Sequence, residues 1–372
     1  MRADRSGYRL RRPAVVTRDD AGASAIADGS EREPVVIRHA RTSSKAGTTT
    51  TGMGYSHLAR SDSRPDSALM MLARIESGAL DFRIAWLLMK VHAVQTGTVA
   101  VKERQRSGAG PGPLRLPLTL ADREWTEPLP IYAWVIEHPE GVIVVDTGET
   151  ARVAEPGYFP RWHPYYRLGV KEWVEPEQEM GPQLQAIGIA PDDVRWLLMT
   201  HLHTDHAGGL GHFPNAEILV TRREFENASG TLGKLRGFLP HRWPEWFSPT
   251  LIDLESVQFG PFPESRTVTR AGDVIIVGTG GHTPGHVSVV LEEDVWSILF
   301  AGDASYTERL MIEGVADGVS PDVEAARSSL KRIREFASQR PVVYLPSHDP
   351  GSGQRLEQRR AVDVPAEESI DQ

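Results

Sequence analysis

Residues 200–210 read THLHTDHAGGL and place four side chains that can bind metal ions within six residues: His201, His203, Asp205 and His206. They follow the apolar run 196–199, which predicts a buried strand that ends where the cluster begins. Alternate side chains of an extended backbone share one side, so His201 and His203 can bind one ion. Asp205 and His206 point elsewhere and can bind a second. The spacing predicts a metal site at the end of a strand rather than unrelated histidines.

Three more candidate ligands lie at the ends of apolar runs later in the chain. His286 opens the run 287–291, Asp303 follows the run 296–300, and His348 follows the run 341–345. One rim of a sheet sandwich would bring such positions together. The predicted ligands of the first ion are His201, His203 and His286. Those of the second ion are Asp205, His206 and His348, with Asp303 bridging the two, while His212 and His282 are interpreted as structural.

This ligand set indicates hydrolytic chemistry. Two ions bridged by a carboxylate would lie about 3.5–4 Å apart, generate a hydroxide near neutral pH and polarise a carbonyl or phosphoryl oxygen. Imidazole and carboxylate ligands predict two divalent metal ions, with zinc as the first choice and iron, cobalt or manganese as alternatives. The alternative outside the enzymes is a metal-binding module or sensor without turnover. An open dinuclear centre argues against it, because a purely structural role does not require one.

Composition narrows the functional class. The chain has 372 residues and no cysteine, which excludes disulfides, thiolate zinc sites and cysteine nucleophiles and is compatible with a cytoplasmic location. The net charge is −9, and the excess of acidic residues lies after residue 88, so nucleic acid is not an expected partner. No apolar stretch approaches the roughly 20 residues needed to span a membrane. A small-molecule substrate is expected, and exposed aromatic residues in the loops suit a homodimer.

The chain changes character near residue 89. Residues 1–68 lack hydrophobic periodicity and are rich in arginine, serine and threonine, a composition typical of disorder. We therefore expect residues 1–88 to be a disordered leader or an over-extended gene start, since Met70, Met71 and Met89 are alternative start residues. Residues 89–372 are expected to form a single hydrolase domain.

Local patterns predict several elements of that domain. Residues 91–101 alternate like a strand pair broken at Gly97, and 131–137 with 142–145 form a hairpin. The second hairpin strand ends at Asp146, which could orient a metal-bound histidine. Ser320 is the predicted N-cap of a long helix. The aromatic segments 155–178 and 232–249 are interpreted as long loops that form the apolar wall of a substrate pocket.

The motifs THLHTDHAGG, GHTPGH, AGD and SHD, in this order, resemble those of the metallo-β-lactamase-fold hydrolases over nearly all of residues 89–350. The resemblance implies an α/β fold, an αββα sandwich of two mixed sheets flanked by helices. Asp303-Ala304-Ser305-Tyr306 resembles the N-acyl homoserine lactonases, which carry a tyrosine three residues after the bridging aspartate. The long leader has no counterpart in that family.

The resemblance to this family implies quorum-quenching hydrolysis of N-acyl homoserine lactones by a hydroxide that bridges the two metals. The implied catalytic residues are Tyr306, which donates a hydrogen bond to the developing oxyanion, and Asp205, which moves a proton to the leaving oxygen. The alternative is another hydrolase of the same fold that acts on other lactones, organophosphates or esters.

Overall fold

The computed structural model describes residues 89–108, 110 and 114–365. All of them belong to the larger of the two compact units into which the chain divides, residues 65–372. The predictions made for residues 1–88 lie outside the described residues.

Twelve strands in the described residues form two sheets. They are β1 (Lys90–Val101), β2 (Leu129–Glu137), β3 (Val142–Val145), β4 (Val170–Trp173), β5 (Val194–Leu198), β6 (Glu217–Thr221), β7 (Thr250–Ile252), β8 (Ser265–Thr267), β9 (Val274–Gly278), β10 (Val287–Glu292), β11 (Ser297–Gly302) and β12 (Val342–Pro346). The seven-stranded sheet has the order β4-β1-β2-β3-β5-β6-β7, and the five-stranded sheet has the order β12-β11-β10-β9-β8. Both are mixed, because β3, β5, β6 and β7 run parallel, as do β11 and β12, while the other pairs are antiparallel.

Short helices join most of the strands, and one long helix follows β11. They are α1 (Glu103–Ser107), α2 (Arg115–Leu120), α3 (Pro164–Leu168), α4 (Met180–Ala186), α5 (Thr204–Ala207), α6 (Arg222–Ala228), α7 (Gly230–Leu235), α8 (Glu308–Glu313), α9 (Val323–Gln339) and α10 (Ser352–Glu357). Single 3₁₀ turns lie at Ala151–Ala154, Pro176–Gln178, Pro191–Asp193 and Gly208–His212.

The layers follow from side-chain alternation along the strands. In β3, Ile143 and Val145 face the core between the sheets, whereas Val144 faces the outer side with Leu184 of α4. In β9, Ile276 faces the inner core, whereas its neighbours pack outward against α9. Both sheets are thus apolar on both faces and need a helical cover. This arrangement confirms the predicted αββα sandwich.

The hairpin of 131–137 and 142–145 is confirmed, but residues 91–101 are one strand rather than a broken pair. Gly97 lies in a β-bulge between Gln95 and Thr98, and β1 pairs with β2 on both sides of it. The φ of Gly97 is +131°, and a Cβ there would lie 2.7 Å from the Trp173 carbonyl oxygen of β4. Glycine therefore bends this strand without ending it.

The prediction that residues 155–178 form a loop without secondary structure is wrong. This segment contains α3 and β4, and β4 extends the seven-stranded sheet by pairing with β1. The predicted N-cap is also wrong, because Asp322 caps α9 by accepting a hydrogen bond from the Ala325 amide. Ser320 instead donates to Asp317.

No helix in the described ranges is both long and apolar enough to cross a membrane.

Candidate metal centre

The first histidine cluster follows β5, as predicted. His201 and His206 are fully buried, and His203 precedes α5. His201 Nε2 lies 2.9 Å from His203 Nδ1. Parallel pairing of β11 with β12 brings Asp303, directly after β11, beside His348, two residues after β12. Strand ends from both sheets therefore meet at one rim.

The described residues that could hold a metal ion form three overlapping groups. The groups are His201, His203 and His282; His201, His206 and Asp303; and Asp205, His206 and His348. The ligand atoms within each group lie within 4.8 Å of one another. Six of the seven predicted ligands are thus brought together, and the seventh is replaced by a different histidine.

Asp303 lies between the two sides of this cluster. Its Oδ1 is 3.2 Å from His206 Nε2 and 3.3 Å from His348 Nε2. Its Oδ2 is 3.4 Å from His282 Nε2 and 4.0 Å from His201 Nε2. Because each carboxylate oxygen faces a different pair of imidazoles, Asp303 is positioned to bridge two ions.

The donor atoms suit cations better than hydrogen bonds. His206 Nε2 and Asp303 Oδ1 are buried and have no hydrogen-bond partner. His203 Nδ1 lies within 3.0 Å of ring nitrogens of both His201 and His282, so three imidazole nitrogens crowd one point. Buried polar atoms without partners are costly, and cations among them would remove that cost. The residues present fit two divalent ions.

His282, and not His286, completes the first side of the cluster. His282 Nε2 lies 3.0 Å from His203 Nδ1, and its Nδ1 lies 3.0 Å from Asp317 Oδ2, which fixes the ring. His286 Nε2 instead accepts a hydrogen bond from the Asp303 amide at 3.0 Å. The geometry therefore favours His282 over the predicted His286 as the candidate ligand, and His286 supports the backbone of Asp303.

The two sides of the cluster differ in their electrostatics. Burial, followed by the neighbouring imidazoles, lowers the pKa of His201 and lowers that of His203 to about 3. These rings are neutral, as metal ligation requires. Burial also opposes protonation of His206 and His348, but the Asp303 carboxylate outweighs it, raising the pKa of His206 and raising that of His348 to about 10. Bound cations would replace those protons.

Asp146, directly after β3, orients the cluster through hydrogen bonds to Thr200 and His206, as predicted for this position. Its Oδ1 accepts from the Thr200 amide at 2.8 Å, and its Oδ2 accepts from the Thr200 hydroxyl at 2.7 Å. Oδ2 also lies 2.8 Å from His206 Nδ1, so the Nε2 atom of this ring is left to face Asp303. The φ of Asp146 is +60°, a strained value for a residue other than glycine, which the surrounding contacts hold in place.

We expect Asp146→Asn to weaken metal binding by about 10–100-fold, because an amide cannot accept all three of these hydrogen bonds. Competition with a chromogenic chelator would measure the affinity. Asp273→Asn is the matched control, since Asp273 also pairs with a buried histidine, His138, but at the start of β9 and away from the cluster. Equal affinities of the Asp146 variant and the unchanged protein would contradict this role.

Glu224 is a structural residue of the site that the sequence did not signal. Its buried carboxylate accepts from the Leu202 amide at 3.0 Å and from the Thr283 hydroxyl at 2.6 Å. It therefore ties the His201–His203 segment to the turn that carries His282. Glu224 belongs to α6, and nothing in its local sequence indicates this contact.

The two predicted catalytic residues lie beside the cluster. Tyr306 is buried, and its ring stacks on His348 with centroids 5.5 Å apart. Asp205 Oδ2 lies 3.4 Å from His348 Nε2, and the Asp205 side chain is 16% exposed. Burial opposes ionisation of Asp205, but the hydrogen bond to His348 prevails and lowers its pKa to about 2. This carboxylate is ionised and reachable by solvent.

Only part of the second aromatic segment reaches the cluster. The Phe238 ring stacks on the His203 ring with centroids 4.8 Å apart. Trp243 and Phe247 pack against each other and against Phe225 of α6. The segment 232–249 begins inside α7, so it is a loop only in its later part.

Comparison with known proteins identifies relatives of this chain. A model of the metallo-beta-lactamase superfamily matches residues 126–348. An N-acyl homoserine lactonase of Bacillus thuringiensis is 31% identical over 228 residues, which cover 59% of this chain and 82% of that protein. The N-acyl homoserine lactonase AttM of Rhizobium radiobacter is 26% identical over 275 residues, which cover 70% of this chain and 94% of that protein. These matches confirm the resemblance predicted from the motifs.

A similar solved structure is that of an N-acyl homoserine lactone hydrolase with the product N-hexanoyl-L-homoserine bound at its catalytic metal centre. It superposes with a TM-score of 0.58 at 25% identity and covers 74% of this chain and 96% of that one. The similarity thus extends over nearly the whole of the other protein.

Proposed function

This chain belongs to the metallo-β-lactamase superfamily and, within it, to the N-acyl homoserine lactonase family, and on that premise we propose that it opens the lactone ring of N-acyl homoserine lactones at a centre of two divalent metal ions. The position of Asp303, with one oxygen facing each side of the histidine cluster, is the observation that carries the dinuclear assignment.

The proposed ligand sets follow the geometry. His201, His203 and His282 would hold one ion, and Asp205, His206 and His348 the other, with Asp303 shared between them. Zinc is the first choice, since imidazole and carboxylate suit it, while iron, cobalt and manganese are alternatives. When bound, two such ions supply an activated water molecule and polarise the lactone carbonyl.

The chain's own residues supply the remaining steps. The Tyr306 hydroxyl donates a hydrogen bond to the carbonyl oxygen, and this bond strengthens as negative charge develops there. Burial raises the pKa of Tyr306 well above its usual value, so the phenol remains a donor. Asp205 takes up the proton released as water attacks the carbonyl carbon and delivers it to the ring oxygen when the C–O bond breaks.

The activity is tested by measuring acid release from short- and long-chain N-acyl homoserine lactones, with paraoxon and a thioester as controls. We expect turnover of the lactones well above that of both controls. Turnover of paraoxon or the thioester alone would refute the proposed substrate class. Elemental analysis of the same active sample should find about two metal ions per chain, and trace amounts only would refute the dinuclear centre.

We expect Tyr306→Phe to keep both metal ions and lose at least roughly tenfold in turnover, about 1.4 kcal/mol of transition-state stabilisation. Turnover and metal content measured on the same preparation would check this. Tyr344→Phe is the matched control, because this buried tyrosine also loses one side-chain hydrogen bond, to Ser305, but has no proposed catalytic role. Unchanged turnover of Tyr306→Phe would remove this residue from the mechanism.

We also propose that residues 89–372 act as one hydrolase domain, in the cytoplasm and as a homodimer. The absence of cysteine is compatible with that location. The exposed side chains of Trp162, Leu232 and Leu235 support self-association. Light scattering after size exclusion would measure the mass, and a monomer at micromolar concentration would refute the dimer.

A further inference from the structure

A buried glutamine joins two tyrosines beside the metal centre. Gln105 lies in α1, is 2% exposed, and is held by a backbone bond from the Gly318 amide at 2.7 Å. Its side-chain Nε2 donates to the Tyr306 hydroxyl at 2.7 Å and to the Tyr165 hydroxyl at 3.0 Å. One amide group thereby fixes two phenols that lie far apart in the sequence.

The direction of these hydrogen bonds determines what the phenols can do. A side-chain amide nitrogen carries two hydrogens, and Gln105 gives one to each phenol oxygen. Each phenol is therefore an acceptor toward Gln105, and its own hydrogen must point elsewhere. A phenol keeps its hydrogen near neutral pH, so both hydroxyls have one hydrogen left to donate. The pair presents two donors.

Tyr165 lies on the same side of the fold as the metal centre. It packs against the apolar cluster that contains Tyr306, and its side chain is partly exposed. After burial and the Gln105 bond, the charges that act on its pKa are the carboxylates of Asp205, Glu172 and Asp303. Because both phenols bond one planar amide nitrogen, their oxygens lie about 5 Å apart.

We infer that Tyr165 is a second substrate-binding residue, which donates to the acyl amide carbonyl while Tyr306 donates to the lactone carbonyl, and that Gln105 is the positioning residue for both. One nitrogen and one carbon separate these two carbonyl groups in the substrate, so two donors about 5 Å apart can reach both. Tyr165 would thus select acylated homoserine lactones over lactones that lack the amide. This inference rests on the proposed lactonase activity.

The test compares two substrates on the metal-loaded full chain: N-hexanoyl homoserine lactone, and γ-decalactone, which has no amide. Tyr165→Phe should lose about tenfold in kcat/KM on the first and less than about twofold on the second. Tyr306→Phe should lose on both. Tyr166→Phe is the matched control, because this neighbour in α3 bonds the Gly237 carbonyl instead and should leave the ratio of the two substrates unchanged.

Binding gives a second readout, independent of turnover. Calorimetry should show weaker binding of the opened product N-hexanoyl homoserine to Tyr165→Phe, with unchanged binding of 4-hydroxydecanoate. Equal losses on both compounds, or no loss on either, would overturn the role of Tyr165. An unchanged protein that opens neither lactone would instead refute the proposed function, so the two failures are distinguishable.

Gln105 is tested by its size-matched variant. In Gln105→Glu, the side chain can donate at most one hydrogen in either charge state, so at least one phenol hydrogen would turn toward it and away from the substrate. We expect at least a tenfold loss in kcat/KM on both lactones, as large as in Gln105→Leu. A packing role alone predicts that Gln105→Glu is the better tolerated of the two variants. Such a result, with normal metal content and melting temperature, would overturn the positioning role.

Discussion

An Asp303→Asn variant is expected to retain no more than one of the two proposed metal ions and to lose at least about 100-fold in lactone turnover. In the proposed centre, a bridging residue must offer an anionic oxygen to each side of the cluster, and Asp303 has Oδ1 on one side and Oδ2 on the other. Asparagine has one neutral oxygen and an amide group that would point its hydrogens at a cation. We therefore expect a larger loss of metal and turnover than for a residue that only forms hydrogen bonds to the ligands.

Elemental analysis and turnover on the same preparation would measure both effects of the Asp303 change. Asp294→Asn is the matched control, because this aspartate is exposed in the turn between β10 and β11. A variant that keeps two ions and full turnover would remove the bridging role and with it the dinuclear mechanism.

Substituting His282 should have the second large effect, and the contrast with His286 decides between two assignments. His282→Ala removes a nitrogen that faces His203 and Asp303, so we expect loss of the ion on that side and at least about a 100-fold fall in turnover. His286→Gln removes a ring that bonds the Asp303 amide, so we expect a lower melting temperature with most of the metal retained.

Metal content of the two variants is the decisive measurement for this contrast. If the His286 variant loses an ion while the His282 variant keeps both, the assignment made from the sequence would be restored. Melting temperatures of both apo-proteins serve as the folding control, since a collapsed variant would lose metal for an unrelated reason.

His282 and His286 show that the sequence alone does not predict which of two nearby histidines joins the cluster. Both stand in GHTPGH, four residues apart, and the sequence favours His286 because it adjoins the apolar run of β10. The structure folds residues 279–285 into a turn that carries His282 to His203. Its partner Asp317 is 35 residues away in the chain, so no local pattern reveals the pairing.

Positions that depend on strand ends were predicted well. Periodicity located β5, β11 and β12, and a strand end directs the next side chains toward the rim of the sheet. For this reason Asp303 and His348, both expected at strand ends, lie in the cluster. Gln105 and Tyr165 carry no such signal, because their contact joins residues of α1 and α3 that only tertiary packing brings together. The prediction at Gly97 is wrong for a related reason. A glycine within a strand-like pattern can mark either a β-bulge or the end of a strand, and the sequence alone does not distinguish them.

The distribution of the ligands over both sheets makes ion capture a property of the assembled molecule. The first cluster follows β5 of the larger sheet, whereas His282, Asp303 and His348 follow strands of the smaller one. A fragment cut between β7 and β8 would leave each piece with an incomplete coordination sphere. If two such fragments are mixed and reassociate, tight metal binding should return. Metal binding would then measure fragment complementation directly.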